Sequence, residues 1–280
     1  MTQGYLTFAQ NNARTNYLNL AYLQALSIKV TNKINKYAVV VDDDTMSRIE
    51  DRHRRVFDYI IPIPGGDDAK GHSWKMQNEW KANLASPFDE TIKLESDMLF
   101  TSCVDHWWKI LAARDMVFTN HVVDYTERSS TTRVYRQLFD DNSLPDIYGG
   151  LYYFKKSNTA DLFFEYAKSI FANWTYTKHY ILKGCSNETA STDVVFAIAA
   201  KLVGVDLCTL PGPVPTFAHM KGAVQGWEPS MVWSEHLMHQ FDQHHLTVGA
   251  HRQRVPFHYH YKNFATPEVI KHYEQLYFGK

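Results

Sequence analysis

The stretch Tyr37-Ala-Val-Val-Val-Asp-Asp-Asp44 decides the fold class. Its apolar part is continuous and rich in β-branched residues, which is typical of a parallel strand buried on both faces. A shorter apolar run, residues 5–9, comes earlier, and helical spacing begins at Thr15 between the two. Further strands are indicated at residues 59–61 and 90–94, again separated by helical segments. This alternation predicts an α/β protein with a mostly parallel central sheet and flanking helices.

The composition excludes several classes of protein. The 280 residues carry 29 Lys and Arg against 30 Asp and Glu, a net charge of -1, which excludes a uniformly basic coating protein but not a local basic groove. The longest apolar stretch, residues 194–205, is too short for a membrane span and contains Lys201. With no signal peptide visible, we expect a cytoplasmic protein without a membrane partner. The 3 cysteines are too widely spaced for a disulfide framework or a zinc site.

The strongest site candidate is Glu95-Ser96-Asp97, which directly follows the strand at 90–94. Ligands bind at the carboxyl ends of strands in open α/β sheets, and carboxylates at this position can hold a hard divalent cation. The run Asp42-Asp-Asp44 also ends a strand. For this run we favour capping of the next helix by Asp44 and Thr45, or a position facing a nucleoside, over metal binding.

Four segments carry a family resemblance. The stretch Ser86-Pro-Phe-Asp-Glu-Thr-Ile-Lys-Leu-Glu-Ser-Asp-Met-Leu-Phe100 resembles the segment that delivers the D-x-D metal motif in GT-A-fold glycosyltransferases of the glycogenin and galactinol synthase type. In the same order as in that family stand Thr7-Phe-Ala-Gln-Asn-Asn12, Tyr148-Gly-Gly-Leu-Tyr-Tyr-Phe154, and His219-Met-Lys-Gly222 with Gly226-Trp227. The whole chain more closely resembles glycosyltransferases encoded by T-even-like and cyanobacterial phages, some of which are linked to sugar addition on modified phage DNA.

The resemblance implies a GT-A fold and a set of site residues. The catalytic domain would span residues 1–227, with 228–280 as an extension packed on it that binds the acceptor or forms an interface. Metal ligands would be Glu95, Asp97 and His219, holding Mn²⁺ or Mg²⁺, and Asp193 would lie near the reacting sugar carbon. The implied contacts to a nucleotide-sugar donor, expected to be UDP-linked, are Ala9, Asn11, Asn12, Tyr17, Asp42, Lys75, Ser96, Gly149, Gly150, Lys221 and Gly222.

The chain departs from the family pattern at two positions. Glu95 stands where the family has aspartate, and its longer side chain could reach the metal through water or bind the ribose instead. The lysine of the family's K-P-W sequence is missing, because Val224-Gln-Gly-Trp227 stands there. Lys221 or Lys75 is our candidate for the cation that binds phosphate.

Basic residues suggest where an acceptor binds. Arg128, Arg133 and Arg136 lie in a polar stretch after the metal strand, and Arg252 and Arg254 lie in a C-terminal tail that holds 8 of the 14 histidines, interleaved with aromatics. Such combinations suit nucleic acid, including a base turned out of its stack. With Trp227, these arginines form the expected acceptor site.

The resemblance implies transfer of glucose, or of a pentose such as arabinose, to hydroxymethylcytosine in double-stranded DNA with retention of configuration. A protein or glycan acceptor is an alternative. A non-catalytic protein that binds nucleotide-sugar or assembles with other proteins is an alternative of another class.

Several of these residues also have purely structural explanations. Asp193 suits a helix cap, Asn11 and Asn12 suit turns, and His219 suits a hydrogen-bonded core position. His258 and His260 alternate as on a strand, so they could lie on one face, and we rank a second metal site there low.

Overall fold

The computed structural model describes residues 1–72, 74–228 and 230–279. Its strands are β1 (Gln3–Phe8), β2 (Tyr37–Val41), β3 (Tyr59–Pro62), β4 (Glu90–Leu94), β5 (Met98–Leu99), β6 (Met116–Thr119), β7 (Tyr148–Lys155), β8 (Ala218–His219), β9 (His239–Asp242), β10 (His245–Val248), β11 (His251–Arg252) and β12 (Phe257–His258).

The helices complete the inventory of regular structure. They are α1 (Tyr17–Thr31), α2 (Asp43–Met46), α3 (Asp51–Arg54), α4 (Ala82–Ala85), α5 (His106–Leu111), α6 (Arg133–Asp141), α7 (Asn158–Ala172), α8 (Trp174–Tyr176), α9 (Thr192–Val203), α10 (Val205–Cys208), α11 (Gly222–Gln225), α12 (Trp233–His236) and α13 (Pro267–Phe278). Short 3-10 turns cover Met76–Lys81 and Lys262–Phe264, and a π-helical turn covers Thr177–Ile181.

A six-stranded sheet in the order β3-β2-β1-β4-β7-β6 forms the centre. The strands β3, β2, β1 and β4 are parallel, whereas β7 runs antiparallel to both of its neighbours. The predicted α/β class with a mostly parallel central sheet and flanking helices is confirmed. The chain builds β2 and β3 on one side of β1 and then crosses to β4 on the other side. The carboxyl ends of β1 and β4 therefore form a crevice of the kind in which such sheets bind ligands.

Both faces of the sheet are covered. Tyr5 and Val39 belong to a core cluster on one face, and their neighbours Leu6 and Val40 belong to a second cluster on the other. Alternate residues of a strand point to opposite faces, so a strand between two clusters must be apolar throughout. This explains the unbroken apolar run Tyr37–Val41.

The C-terminal segment is integral to the first of these clusters. Strand β12 lies between β5, to which it is antiparallel, and β8, to which it is parallel. Trp233, Leu246, Phe257 and Tyr273 are fully buried in the same cluster as Tyr5. Residues of the C-terminal segment therefore share a core cluster with β1, and they supply the middle strand of a sheet. None of the helices in the described ranges combines the length and apolar character needed to cross a bilayer.

One detail of the aspartate run is corrected. The sequence suggested Asp44 and Thr45 as caps of the next helix, but the cap of α2 is Asp42, whose carboxylate accepts a hydrogen bond from the Thr45 amide at 2.9 Å. Asp43 and Asp44 lie in the first turn of α2 and are exposed. Acids in a first turn are stabilised by the partial positive charge of the helix N-terminus, so this run has a sufficient local explanation.

Candidate active site

A cleft of about 280 Å³ opens at the crevice between the ends of β1 and β4. The antiparallel strand β7 presents its amino end there, because Leu151 pairs with Leu94 at the last position of β4. The wall of the cleft includes ten of the predicted site residues, namely Asn12, Tyr17, Lys75, Glu95, Ser96, Asp97, Gly150, Asp193, His219 and Lys221. Segments far apart in the sequence thus converge on one cavity.

Asp97 is the most deeply buried carboxylate of the cleft wall. Its side chain is 5% exposed, and one carboxylate oxygen, Oδ2, lies 2.9 Å from Nε2 of His258 and 2.5 Å from Nζ of Lys262. Burial alone would raise the pKa of Asp97, but the neighbouring His258 and Lys262 hold the pKa well below its ordinary value. Asp97 is therefore an anion at neutral pH, as a metal ligand must be.

The histidines beside Asp97 come from two strands of the small sheet. His258 of β12 pairs in register with His219 of β8, and their rings stack with centroids 4.5 Å apart. Nε2 of His258 also lies 3.2 Å from a carboxylate oxygen of Glu95. His219 and His258 each keep a buried Nδ1 without a hydrogen-bond partner. Buried imidazole nitrogens next to carboxylates form a donor set that suits Mn²⁺ or another first-row divalent cation.

The side chains that could together hold a metal ion differ from the predicted metal ligands. In the described part of the chain, Asp97, His258 and His260 can each place a ligand atom within 4.8 Å of the other two. His219, predicted as the third ligand, lines the same cleft and stacks on His258 but is not in this group, and Glu95 adjoins it through His258. His258 and His260 line the same cleft as Asp97, so these two histidines lie at the predicted site and not at the separate second metal site that the sequence ranked low.

Burial keeps two of these imidazoles neutral. It lowers the pKa of His260 to about 3, with the charge of His258 adding to the effect. Burial likewise lowers the pKa of His219 far below its ordinary value, again reinforced by His258 and His260. Neutral imidazole is the form that ligates a metal, so both rings are ready to do so at physiological pH.

Asp193 occupies the opposite wall of the cleft. It lies in the first turn of α9, and its Oδ1 accepts a hydrogen bond of 2.7 Å from the amide of Gly149. A Cβ on Gly149 would lie 3.2 Å from this same oxygen, and a Cβ on Gly150 would lie 3.2 Å from Oε2 of Glu95. Both glycines are therefore required by the close approach of a carboxylate to the strand.

Arg136 is a buried arginine that lies next to Asp193. The guanidinium is fully buried, stacks 3.7 Å from the centre of the Tyr148 ring, and has a nitrogen 3.7 Å from Oδ2 of Asp193 and another 3.1 Å from Asp146. The prediction that Arg136 contacts a phosphate of the acceptor is corrected, because a side chain without exposed surface cannot meet a macromolecule. Arg136 instead places a buried positive charge beside the Asp193 carboxylate.

The predicted donor contacts fall into two groups. One group lines the cleft and consists of Asn12, Tyr17, Lys75, Ser96, Gly150 and Lys221. Burial raises the pKa of Tyr17, whereas Tyr135, with help from Asp193, raises the pKa of Lys221 against the effect of burial. The other group consists of residues with structural contacts outside the cleft wall, namely Ala9, Asn11, Asp42, Gly149 and Gly222.

Asn11 and Asn12, two of the predicted donor contacts, both make hydrogen bonds that stabilise the local backbone. Oδ1 of Asn11 accepts a hydrogen bond from the amide of Leu18 at 3.0 Å, at the start of α1, and its Nδ2 is buried without a partner. Oδ1 of Asn12 accepts from the amides of Arg14 and Thr15, which closes a turn, while the residue also lines the cleft.

The other arginines of the expected acceptor site lie outside the cleft wall. Arg128, Arg252 and Arg254 are exposed, and the segments that carry them touch, since Arg254 lies 3.9 Å from Glu127 and Gln253 donates to the carbonyl of Tyr125 at 2.8 Å. Trp227 is half-buried, with its ring 6.3 Å from Tyr125. Arg133 is exposed but forms ion pairs with Asp140 on α6 and with Asp146 after this helix.

Three cleft residues were missed by the sequence interpretation as parts of this site: His258, His260 and Lys262. Their signal was the excess of histidines and the alternation in His258-Tyr-His-Tyr-Lys262. The pairing of β12 with β8, 39 residues earlier in the chain at Ala218 and His219, was not visible in that pattern. Only the fold shows that the tail enters the cleft.

No protein-family model matches the chain, and no curated protein matches it. The chain is similar to the solved structure of the galactosyltransferase LgtC in complex with donor and acceptor sugar analogues, at 11% identity and a TM-score of 0.47, over 74% of this chain and 72% of that chain. It is similar to the glycosyltransferase GlyE of Streptococcus pneumoniae TIGR4 at 12% identity and a TM-score of 0.45, over 75% of this chain and 45% of that one. Mouse xyloside xylosyltransferase 1 is similar at 8% identity and a TM-score of 0.44, over 74% and 84%. Identities and TM-scores this low assign no activity to the chain.

Proposed function

We propose that the protein is a metal-dependent glycosyltransferase that takes a sugar from a nucleoside-diphosphate donor, expected to be UDP-linked. The observation that carries the proposal is the convergence of the buried Asp97 carboxylate and several imidazoles on one wall of the cleft with the carboxylate of Asp193 on the other. Breaking a sugar–diphosphate bond develops negative charge on the diphosphate and positive charge on the sugar ring. Both cationic and anionic side chains line the cleft, and this supports a reaction with such a charge separation.

Asp97, His258 and His260 would hold the divalent cation, with Glu95 and His219 next to them. Bound there, Mn²⁺ or Mg²⁺ supplies a Lewis acid that stabilises the leaving diphosphate. Nε2 of His258, which lies beside carboxylate oxygens of both Asp97 and Glu95, fits such an ion.

Asp193 would stabilise the positive charge that develops on the sugar ring. The hydrogen bond from Gly149 and the ion pair with Arg136 fix the direction of its carboxylate. Pre-oriented charge of this kind lowers the barrier because it does not have to reorganise during the reaction. The retention of configuration implied by the sequence resemblance belongs to the proposal.

We further propose hydroxymethylcytosine in duplex DNA as the acceptor, and glucose or arabinose as the sugar. The sequence resemblance suggests this acceptor, and the exposed Arg128, Arg252 and Arg254 on touching segments support it. Exposed arginines next to an aromatic group suit phosphate contacts near an extruded base. The overall charge of -1 means that this affinity would have to come from a local surface.

The test is a transfer assay read by mass. The protein is incubated with Mn²⁺, a panel of UDP-sugars and duplex DNA that contains hydroxymethylcytosine. The DNA is then digested to nucleosides, and their masses are measured by mass spectrometry. A gain of one sugar that disappears in Asp97→Asn, and persists in the exposed control Asp141→Asn, would support the proposal. Transfer only to a protein or glycan acceptor would overturn the DNA acceptor, and binding of donor without any transfer or hydrolysis would overturn the enzyme.

A further inference from the structure

Lys262 has an unusual place for a lysine in this cleft. Its Nζ lies 2.5 Å from Oδ2 of Asp97, the same oxygen that contacts His258, and it also donates to the carbonyl of His260 at 2.8 Å. Burial works against the charge of Lys262, yet Asp97, followed by Glu95, raises its pKa above the ordinary value. An ammonium ion therefore sits at the carboxylate that the proposed function assigns to a divalent cation.

A firmly anchored turn delivers this ammonium. His260 has a left-handed backbone with a φ of 59°, a conformation that costs a non-glycine residue free energy. The residues on either side are fixed: the amide of Tyr259 donates to the carbonyl of Asp97 at 3.2 Å, and the hydroxyl of Tyr261 donates to the carbonyl of Met231 at 2.6 Å. The backbone of the turn is held in place, whereas the ammonium of Lys262 lies at the end of a long, flexible stem, and its side chain is 29% exposed.

The other lysines of the cleft have different partners. Nζ of Lys221 donates to the hydroxyl of Tyr135 at 3.1 Å, on the wall that carries Asp193. Nζ of Lys75 donates to the carbonyl of Ala69 at 3.1 Å. Lys262 is thus the lysine whose charge coincides with the expected metal position, and two cations cannot share that oxygen without strong repulsion.

We propose that Lys262 is a mobile cation that neutralises Asp97 in the free protein, yields this position to a divalent cation, and then moves to the diphosphate of the donor. The inference rests on the proposed function, since it names a further residue that binds the donor. It would supply the phosphate-binding charge that is missing from the sequence Val224-Gln-Gly-Trp227. Competition between Lys262 and the metal would also link metal binding to the arrival of the negatively charged donor.

The first test measures Mn²⁺ binding by electron paramagnetic resonance in the absence of nucleotide. Lys262→Met should bind Mn²⁺ about tenfold or more tightly than the wild type, because a competing like charge is removed. Lys271→Met, an exposed lysine on α13, should bind as the wild type does. Equal or weaker binding by Lys262→Met overturns the inference.

The second test uses the unaltered protein, so it does not depend on the folding of a variant. Lysines are acetylated with acetic anhydride and quantified by peptide mass spectrometry in the free protein, with Mn²⁺, and with Mn²⁺ plus UDP. Labelling of Lys262 should rise several-fold with Mn²⁺ and fall again when UDP is added, while Lys271 stays constant. No rise with Mn²⁺ contradicts the displacement, and no fall with UDP contradicts the contact to the diphosphate.

Failure of the inference is distinguishable from failure of the proposed function. If the wild type binds Mn²⁺, Asp97→Asn does not, and Lys262→Met binds like the wild type, only the role of Lys262 is wrong. If Mn²⁺ binds to neither the wild type nor Lys262→Met, the metal dependence in the proposed function is wrong and the inference falls with it.

Discussion

The strand ends of the parallel sheet and the C-terminal tail both supply residues to the cleft, but they do so by different rules. Glu95 and Asp97 follow β4, and the carboxyl end of a parallel strand is a position where ligand contacts are expected from topology alone. His258 and Lys262 reach the same cavity because β12 inserts between β5 and β8. Local patterns can therefore locate the first set, whereas the second set depends on a pairing between distant segments.

The largest expected effect belongs to Asp97, where the two regions meet. Asp97→Asn removes the charge that both the tail and the proposed metal contact, and transfer should fall by about 10³-fold, since metal stabilisation of a leaving group contributes several kcal/mol. The transfer assay measures this loss. Asp141→Asn on the exposed side of α6 should retain full activity, and an active Asp97→Asn would remove the carboxylate from the mechanism.

The next prediction compares His258 of the tail with His219, the metal ligand implied by the sequence. His258→Gln should weaken Mn²⁺ binding by roughly 10- to 100-fold, the range seen when groups around a metal are changed. His219→Gln should have a smaller effect, because His219 stacks on His258 but is not in the group of three around Asp97. Titration calorimetry with Mn²⁺ checks this order, with His236→Gln as an exposed control from the same tail. The reverse order would restore the ligand set implied by the sequence.

A third prediction concerns the wall opposite the metal group. Arg136→Met removes the charge beside Asp193, so kcat should fall while KM for the donor changes little, and unfolding should require about 2 kcal/mol less because a buried, ring-stacked charge is lost. Steady-state kinetics and chemical denaturation measure the two quantities. Arg133→Met, which loses exposed ion pairs with Asp140 and Asp146, is the matched control and should change both little.

A loss of stability without any change in kcat would reduce Arg136 to a core residue. Arg136→Lys should rescue only part of the effect, since lysine lacks the planar group that stacks on Tyr148.

Most of the fold and part of the site could be predicted from the sequence. The unbroken apolar run at Tyr37–Val41 and the helical spacing after Thr15 reflect local rules of burial, so the sheet and its class followed from them. The roles of Arg136 and His258 could not be predicted in this way. The arginine stands in a polar, charged stretch that resembles a solvated surface, and only its stacking on Tyr148 shows that it is buried.

The smallest expected effect tests the proposed acceptor surface. Arg252→Ala and Arg254→Ala should each reduce the slope of log affinity for duplex DNA against log salt by about 1, because each arginine would release counterions from one phosphate. Fluorescence anisotropy at several salt concentrations measures the slope. Arg48→Ala, an exposed arginine of the ion pair with Asp44, should leave it unchanged. Unchanged slopes in both tail variants would place any DNA contact on another surface.

The most direct test of the central claim, that the tail completes the metal site at the strand ends, is anomalous diffraction from crystals of the protein soaked with Mn²⁺ and UDP. We predict one strong peak within about 2.3 Å of a carboxylate oxygen of Asp97 and an imidazole nitrogen of His258. Lys262 should then be turned away from Asp97 toward the diphosphate. A peak coordinated by Glu95, Asp97 and His219, with His258 outside ligand distance, would contradict the account.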